Sequence, residues 1–180
     1  MRNLLATLTL IVGLGFAAPQ AKAQFSIFPY VGYNLDFEGF LIGVGGEFVA
    51  PFEISNLDLT IAPSVEYVFA DDGGIPDFSI NVFQVNGDVI ARFNPQGSFV
   101  PYAGAGLAIV RISVDGPDIL DGFGGFGFDA SSTDVGLNAL GGALFPGLVG
   151  FGDLYAQGRV TFANGTAISI IGGFRIPLGQ

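Results

Sequence analysis

Residues 57–69 read Leu-Asp-Leu-Thr-Ile-Ala-Pro-Ser-Val-Glu-Tyr-Val-Phe, and this stretch decides the fold. Every second side chain, from Leu57 to Phe69, is apolar or aromatic, and most of those between are polar or small, including Asp58 and Glu66. Alternation with a period of two predicts a β-strand with two unlike faces. The stretch is also much longer than the roughly 5–6 residues of an ordinary globular strand.

The same alternation recurs along the chain. It is clear at 83–93, 153–163 and 166–178, and less regular at 26–37, 40–50, 99–112 and 133–145. The connections are mostly short and rich in Gly, Pro and Asn, and Asn164-Gly165 is typical of a tight hairpin. Short connections favour antiparallel pairing of chain neighbours, so the sequence predicts eight strands in an up-and-down arrangement, with the longest loop at 113–132.

The composition excludes several classes of function. The 180 residues contain no Cys and no His, and 16 acidic residues outnumber six Lys and Arg. Without Cys there are no disulfides or thiolate nucleophiles, and without His the commonest general base and metal ligand is missing. A net charge of −10 excludes a basic nucleic-acid surface. We therefore expect no catalytic residue, no cofactor, no bound metal and no nucleic-acid partner.

The N-terminus has the pattern of an export signal. Arg2 precedes an apolar stretch over residues 4–18, and Ala21-Lys22-Ala23 follows with the small residues of a cleavage site. The alternative is an N-terminal membrane anchor, for which the stretch is short. We expect a cleaved signal peptide over residues 1–23 and one exported domain over residues 24–180.

The placement of charge indicates which face of the barrel lies outside. A soluble calyx is apolar inside, whereas a transmembrane barrel is apolar outside and polar inside. Most acidic residues fall in predicted loops, and the polar face of the strands has few charges and no lysine, which would make a poor soluble exterior. The sequence therefore predicts an eight-stranded antiparallel up-and-down transmembrane β-barrel, with a soluble, lipophile-binding calyx as an alternative.

The aromatic residues support the same interpretation. Phe and Tyr recur near the predicted strand ends, where membrane barrels carry aromatic girdles. A general preference of aromatic residues for strands explains part of this pattern. The residues assigned to the girdles are Phe25, Tyr33, Phe37, Phe40, Phe52, Tyr67, Phe69, Phe93, Phe145, Phe162 and Phe174.

Charged side chains on the polar face predict an interior network. An eight-stranded barrel is only wide enough inside for side chains, and buried charges there must pair. Arginine suits carboxylates because its planar fork binds both oxygens. The predicted network, supported by Gln84, Asn86, Asn138 and Gln157, comprises Arg92, Arg111, Arg159, Arg175, Glu47, Glu66 and Asp88. It would plug the barrel, or merely make the interior polar.

Three stretches carry a resemblance to a known family. They are Phe-Val-Pro-Tyr-Ala-Gly-Ala-Gly-Leu at 99–107, Thr-Asp-Val-Gly-Leu-Asn-Ala-Leu-Gly-Gly at 133–142, and Ile-Ser-Ile-Ile-Gly-Gly-Phe-Arg-Ile at 168–176. The chain resembles the small outer-membrane β-barrels of Gram-negative bacteria, such as the OmpX-, OmpW- and OmpA-barrel-like proteins. The resemblance implies a monomer in the cell outer membrane, with outer-membrane lipids and the barrel-assembly machinery as partners. Enzymes of this shape rely on a His, which this chain lacks.

Three functions remain open at this point. The first is a non-enzymatic outer-membrane barrel with a structural or surface-interaction role, in which the loop residues Phe123, Phe126 and Phe128 form a surface contact. The second is a narrow channel or a lateral conduit for small apolar solutes, with a wall thinned at Gly104, Gly106, Gly141 and Gly142. The third is the soluble calyx.

Overall fold

The computed structural model describes residues 25–49, 57–70, 79–115 and 129–178. The predicted signal peptide, the predicted girdle residue Phe52, and Phe123, Phe126 and Phe128 lie outside these residues. No helix within the described ranges is long and apolar enough to span a membrane. The strands are β1 (Phe25–Asn34), β2 (Gly39–Val49), β3 (Leu57–Phe69), β4 (Ser79–Phe93), β5 (Val100–Asp115), β6 (Asp129–Val149), β7 (Gly152–Ala163) and β8 (Gly165–Leu178).

The eight strands form a closed antiparallel barrel, which confirms the predicted fold class. Each strand pairs with its chain neighbours, and β1 pairs with β8 to close the wall. A path that starts at Phe25 and moves to the register partner on each successive strand goes once around the barrel and reaches Ile168 of β8. The backbone carbonyl of Ile168 accepts a hydrogen bond from the N–H of Leu35, not from Phe25. This shift of ten residues along β1 tilts the strands, and eight tilted strands enclose a space that side chains fill.

The outer and inner faces follow the predicted alternation. In β3, Ile61 is 54% exposed on the outer face, whereas its neighbours Thr60 and Ala62 are fully buried inside. Strands β4, β7 and β8 keep the same order, with their predominantly apolar registers outward. The apolar residues of β3 therefore form the exterior of the barrel, as the placement of charge predicted.

Three strands extend further than the hydropathy pattern predicts. The pattern places β4, β5 and β6 at 83–93, 99–112 and 133–145, but the β5–β6 ladder continues to the pair Asp115 and Asp129. Polar positions such as Ser113 and Ser131 pair there, because ladder hydrogen bonds do not require apolar side chains. The predicted loop 113–132 is correspondingly shorter. At its other end, β6 continues to Val149, into the stretch 146–152 that the sequence predicts as a turn, by means of an irregular register after Phe145.

The two ends of the barrel differ in their connections. The terminal end, as we call it, is where the chain enters β1 and leaves β8, and it carries the turns at 94–99 and 150–151. The loop end carries the turn at 35–38 and the tight turn at Asn164, where Gly165 has a φ of +132°. The Asn34 side chain stabilises the first of these turns by accepting hydrogen bonds from the N–H groups of Asp36 and Phe37.

Inward-facing glycines make room for aromatic side chains. A Cβ at Gly43 would overlap the ring of Tyr30, and a Cβ at Gly45 would overlap the ring of Phe28. A Cβ at Gly142 would lie 2.6 Å from the Tyr102 hydroxyl. Because large rings from one strand lie over glycines of another, the interior stays close-packed where the sequence has no side chain.

Apolar side chains fill the barrel at the loop end. They are almost fully inaccessible and form part of one buried cluster, against which Ile80, Ile112 and Phe37 pack. The prediction that Phe37 belongs to an outer aromatic girdle is therefore wrong, because the turn at 35–38 folds its ring toward the interior. We call this group the apolar layer; it consists of Leu41, Val68, Val82, Ala108 and Val110.

Candidate functional site: the charged barrel interior

The first of two charged clusters lies at the terminal end of the interior. Glu47 of β2 receives two hydrogen bonds from the guanidinium of Arg92 on β4, one on each carboxylate oxygen. Arg175 of β8 donates from Nε to Glu47 Oε1 at 3.2 Å and from Nη1 to Asp153 Oδ2 at 3.1 Å. Four strands thus contribute to one chain of ion pairs, which we call the terminal cluster.

The second cluster lies near the middle of the barrel. Arg159 of β7 donates from Nη1 to Glu66 Oε2 of β3 at 2.6 Å, and Tyr30 donates its hydroxyl to the same oxygen at 2.8 Å. Asp88 of β4 lies 3.9 Å from Arg159 Nη2. Arg159 and Glu66 are each only 3% exposed. Because β3 and β7 lie on opposite sides of an eight-stranded wall, this pair crosses the interior; we call the group the central cluster.

Amide and hydroxyl groups connect the carboxylate of Asp88 to the rest of the interior. Asn138 Nδ2 donates to Asp88 Oδ1 at 3.0 Å and to Asn86 Oδ1 at 2.8 Å. Asn138 Oδ1 in turn accepts a hydrogen bond of 2.9 Å from Thr161 Oγ1, and Gln84 Nε2 donates to Asn86 Oδ1 at 2.6 Å. Shared partners of this kind satisfy buried polar groups that would otherwise be costly to remove from water.

The structure places six of the seven predicted charged residues inside and divides them between the two clusters. Arg111 is the exception: its side chain is exposed on the outer face. Its register partners on the two adjacent strands are Phe83 of β4 and Thr133 of β6. Both partners are exposed, so Arg111 belongs to the outward register. The interior assignment of Arg111 is wrong, because β5 is apolar on both faces and its pattern does not define the register.

Two members of the clusters, Asp153 and Tyr30, are not among the predicted network residues. Asp153 lies on the polar register of β7, so its pairing with Arg175 could have been found from the alternation alone. Tyr30 gives no such signal, because β1 is apolar on both faces and a tyrosine fits an outer girdle equally well. Its inward orientation depends on the space above Gly43, which only the assembled barrel defines.

A small cavity separates the two clusters. It has a volume of about 30 Å³, and Arg92, Arg159, Arg175, Gln157 and Tyr155 are among the residues that line it. The Nε atoms of Arg92 and Arg159 are buried and have no hydrogen-bond partner among the described residues. A cavity of this size is large enough for an ordered water molecule, which would satisfy such groups.

The chemistry available to these groups is limited. Within the described ranges, no three acidic, His or Cys side chains gather closely enough to hold a metal ion. The carboxylates of Glu47 and Glu66 are each engaged by an arginine, which holds them as ion-pair partners. The charged groups of the described interior are therefore engaged mainly with one another.

Comparison with known proteins supports the architecture. No family model matches the chain, and no curated protein matches it either. Among solved structures, Neisserial surface protein A (NspA) is 19% identical with a TM-score of 0.55, over 87% of this chain and 96% of that one.

Two further structures show the same likeness. The N-terminal β-barrel domain of Pseudomonas aeruginosa OprF is 16% identical with a TM-score of 0.54, over 87% of this chain and 100% of that domain. A major outer membrane protein from Thermus thermophilus is 17% identical with a TM-score of 0.57, over 87% of this chain and 99% of that one. The chain therefore has the fold of the small eight-stranded outer-membrane β-barrels.

Proposed function

We propose that the protein is an exported, integral outer-membrane barrel with a structural or surface-interaction role and an interior plugged by side chains. The observation that carries the proposal is the inversion of polarity across the wall. Large apolar side chains such as Phe40, Ile61 and Val135 are exposed outside, while Glu47, Glu66 and Arg159 are buried inside. An apolar exterior of this extent is suited to lipid, since every backbone group of a closed barrel is paired within the wall.

Aromatic residues on the outer face support a membrane position. At the terminal end, the pairs Phe25–Phe48 and Phe99–Phe145 have ring centroids 4.9 and 5.6 Å apart. At the loop end, Tyr33 and Phe40 are 5.5 Å apart. Two separated bands of aromatic rings are typical of the two interfaces of a membrane barrel.

The interior contacts favour a plugged barrel over a channel. The Arg159–Glu66 pair joins opposite walls, and the apolar layer lies between this pair and the loop end. Three of the four glycines proposed to thin the wall, Gly104, Gly106 and Gly142, have another explanation. A Cβ at Gly106 would overlap Asp88, and one at Gly104 would lie 2.9 Å from Leu140, so these positions accommodate neighbouring side chains.

An enzymatic role has less support. One similar structure, 14% identical with a TM-score of 0.53, is the outer membrane enzyme PagL. The present chain contains no His or Cys, and its central carboxylate, Glu66, is held by Arg159 and Tyr30. We therefore propose interaction rather than catalysis. Ail of Yersinia pestis, named an attachment invasion locus protein, is a similar structure with 10% identity and a TM-score of 0.58.

Two measurements test the proposal. The purified protein is run unboiled and boiled on a denaturing gel after refolding with and without detergent, and is then added to a planar lipid bilayer. We expect faster migration of the unboiled sample only after refolding in detergent, and no conductance. A monomer that folds and stays soluble without detergent would indicate a calyx, and steady conductance would indicate a channel.

A further inference from the structure

The outer face carries one isolated positive charge. Arg111 is exposed, and the other charged residues on the outward register of the described strands are Asp115 and Asp129, which pair with each other four positions further toward the loop end. No described residue forms an ion pair with it. Most outer-face positions of a membrane barrel are apolar because a charge facing lipid is costly. An outward arginine therefore needs a polar or anionic environment.

Arg111 lies at the point along β5 where the apolar part of the outer face ends on the side of the loop end. Toward the terminal end, the next outward residue is Ile109, which is half exposed, and the neighbouring strand presents Val135. Toward the loop end, the next outward positions are Ser113 and its partner Ser131, followed by the pair Asp115 and Asp129. Thr133 lies directly opposite Arg111 on β6. Arg111 thus lies where the apolar wall gives way to hydroxyl-bearing and then acidic positions, a transition that a membrane barrel is expected to make at the level of lipid headgroups.

A groove begins beside this position. Arg111 pairs with Phe83 on β4, and the next outward residue of β4 is Val85. Val85 lines a groove of about 260 Å³ on the outer wall, together with Val44, Gly46, Pro63 and Val65 on their outward faces. The β2–β3 register pairing is interrupted opposite Pro63, between the pairs Gly45–Ser64 and Phe48–Ile61.

The groove is a consequence of missing side chains. Pro63 is flanked on β4 by Gly87, around which a Cβ would meet no atom within 4 Å, and Gly46 on β2 has no side chain of its own, although the Phe25 ring packs beside it. The groove is apolar because Ser64 and Asn86, which also border it, direct their side chains to the interior, where they bond to each other at 3.3 Å. A flexible hydrocarbon chain matches such a surface.

We propose that this face binds one phosphate-bearing anionic lipid, with its headgroup at Arg111 and an acyl chain in the groove. The guanidinium fork suits a phosphate group, and the Thr133 and Ser113 hydroxyls supply further hydrogen-bonding groups beside it. The charge selects the headgroup and the groove selects the chain. This inference rests on the proposed membrane location, and it assigns a binding role to Arg111, an exposed cation on the outer face.

The test compares lipid retention in native mass spectrometry. Protein expressed from the full gene and purified in detergent is incubated with dioleoylphosphatidylglycerol or dioleoylphosphatidylcholine. We expect retention of one phosphatidylglycerol in preference to phosphatidylcholine. Arg111→Gln should lower that preference roughly fivefold, which corresponds to about 1 kcal/mol for one cation at a membrane surface. Arg111→Lys should keep most of the preference, and added inorganic phosphate should not displace the lipid.

The groove is tested with a matched pair of substitutions. Gly87→Leu places a side chain over Pro63 and should reduce retention of both lipids. Gly158→Leu introduces the same side chain on the far side of the barrel, also with no atom within 4 Å of its Cβ, and should leave retention unchanged. Equal effects of the two variants would overturn the proposed site, and so would an unchanged preference in Arg111→Gln or displacement of the lipid by inorganic phosphate.

The gel assay separates this inference from the proposed function. Wild-type protein that shows no heat-modifiable band in detergent contradicts the membrane barrel itself. Heat-modifiable protein without a headgroup preference contradicts only the lipid site.

Discussion

The terminal half of the interior combines ion pairs with buried apolar side chains such as Val100 and Leu144, whereas the apolar layer of the loop half contains no ion pair. In the terminal half, Arg92, Glu47 and Arg175 form ion pairs that connect β2, β4 and β8. In the loop half, the apolar layer contains no charged group, and residues such as Leu41 and Val82 are 1% exposed. The same eight strands enclose both regions. Closure of the barrel and alternation along the strands are therefore compatible with a charged interior and with an apolar one.

This difference shows how a narrow barrel can combine a polar interior with a tight seal. Buried ion pairs favour one orientation of the side chains and one register of the strands, because any arrangement that breaks a pair leaves an uncompensated buried charge. Apolar packing has no such directionality but excludes water. Where the interior is apolar, as at Val68 and Val82, the outer neighbours Phe69 and Phe83 are apolar as well. At that level both faces of β3 and β4 are apolar, so the alternation of polar and apolar residues is lost while the strands keep the same backbone geometry.

The largest effect is expected in the central cluster. Arg159→Ala leaves the carboxylate of Glu66 buried without its arginine, which should lower the free energy of unfolding by about 3–5 kcal/mol. The measurement is the urea midpoint of the heat-modifiable band in detergent. The double variant Arg159→Met with Glu66→Gln removes both charges and should recover part of the loss. An unchanged midpoint for Arg159→Ala would show that the pair does not hold the walls together.

A slightly smaller effect is expected in the apolar layer. Leu41→Ala removes buried methyl groups from a close-packed region and should lower the free energy of unfolding by about 2–5 kcal/mol. Unlike the loss expected for Asp153→Asn in the terminal cluster, this loss should not depend on ionic strength, because no charge is involved. Measuring both variants at low and high salt compares the two halves directly. A salt-sensitive loss in Leu41→Ala would contradict the division.

A moderate effect is expected where glycine faces an aromatic ring. Gly43→Ala forces the Tyr30 ring to move away from its bond with Glu66, which should cost about 1–3 kcal/mol. Gly158→Ala is the control, because its Cβ meets no atom within 4 Å and the change should lie within about 0.5 kcal/mol. Equal urea midpoints for the two variants would show that the interior adapts to the added methyl group.

The smallest effect is expected at the rim of the terminal cluster. Asp153→Asn weakens the ion pair with Arg175, but the two side chains remain 18% and 15% exposed. Solvent screens such a pair, so the loss should stay below about 1 kcal/mol and disappear at high salt. The variant is measured beside Arg159→Ala by the same urea titration. A loss as large as that of Arg159→Ala would place Asp153 among the residues that hold the barrel together.

The polar alternation made much of the interior predictable. Glu66, Asp88, Arg92 and Arg159 occupy strict alternate positions in strands whose other face is apolar, so their direction follows from the period of two. Arg111 had no such pattern around it, because β5 is apolar on both faces, and its direction was decided by pairing with β4 and β6. A one-residue change of register moves a side chain to the other face.

The sequence by itself determined the number of strands, their order and the polarity of the two faces, because these depend on local alternation and short connections. The tertiary structure decided which carboxylate each arginine binds. Arg92 bonds to Glu47 two strands away, and Arg159 bonds to Glu66 across the interior. Such pairings depend on how far the strands are staggered when the sheet closes. That stagger is a property of the whole barrel, and no single strand encodes it.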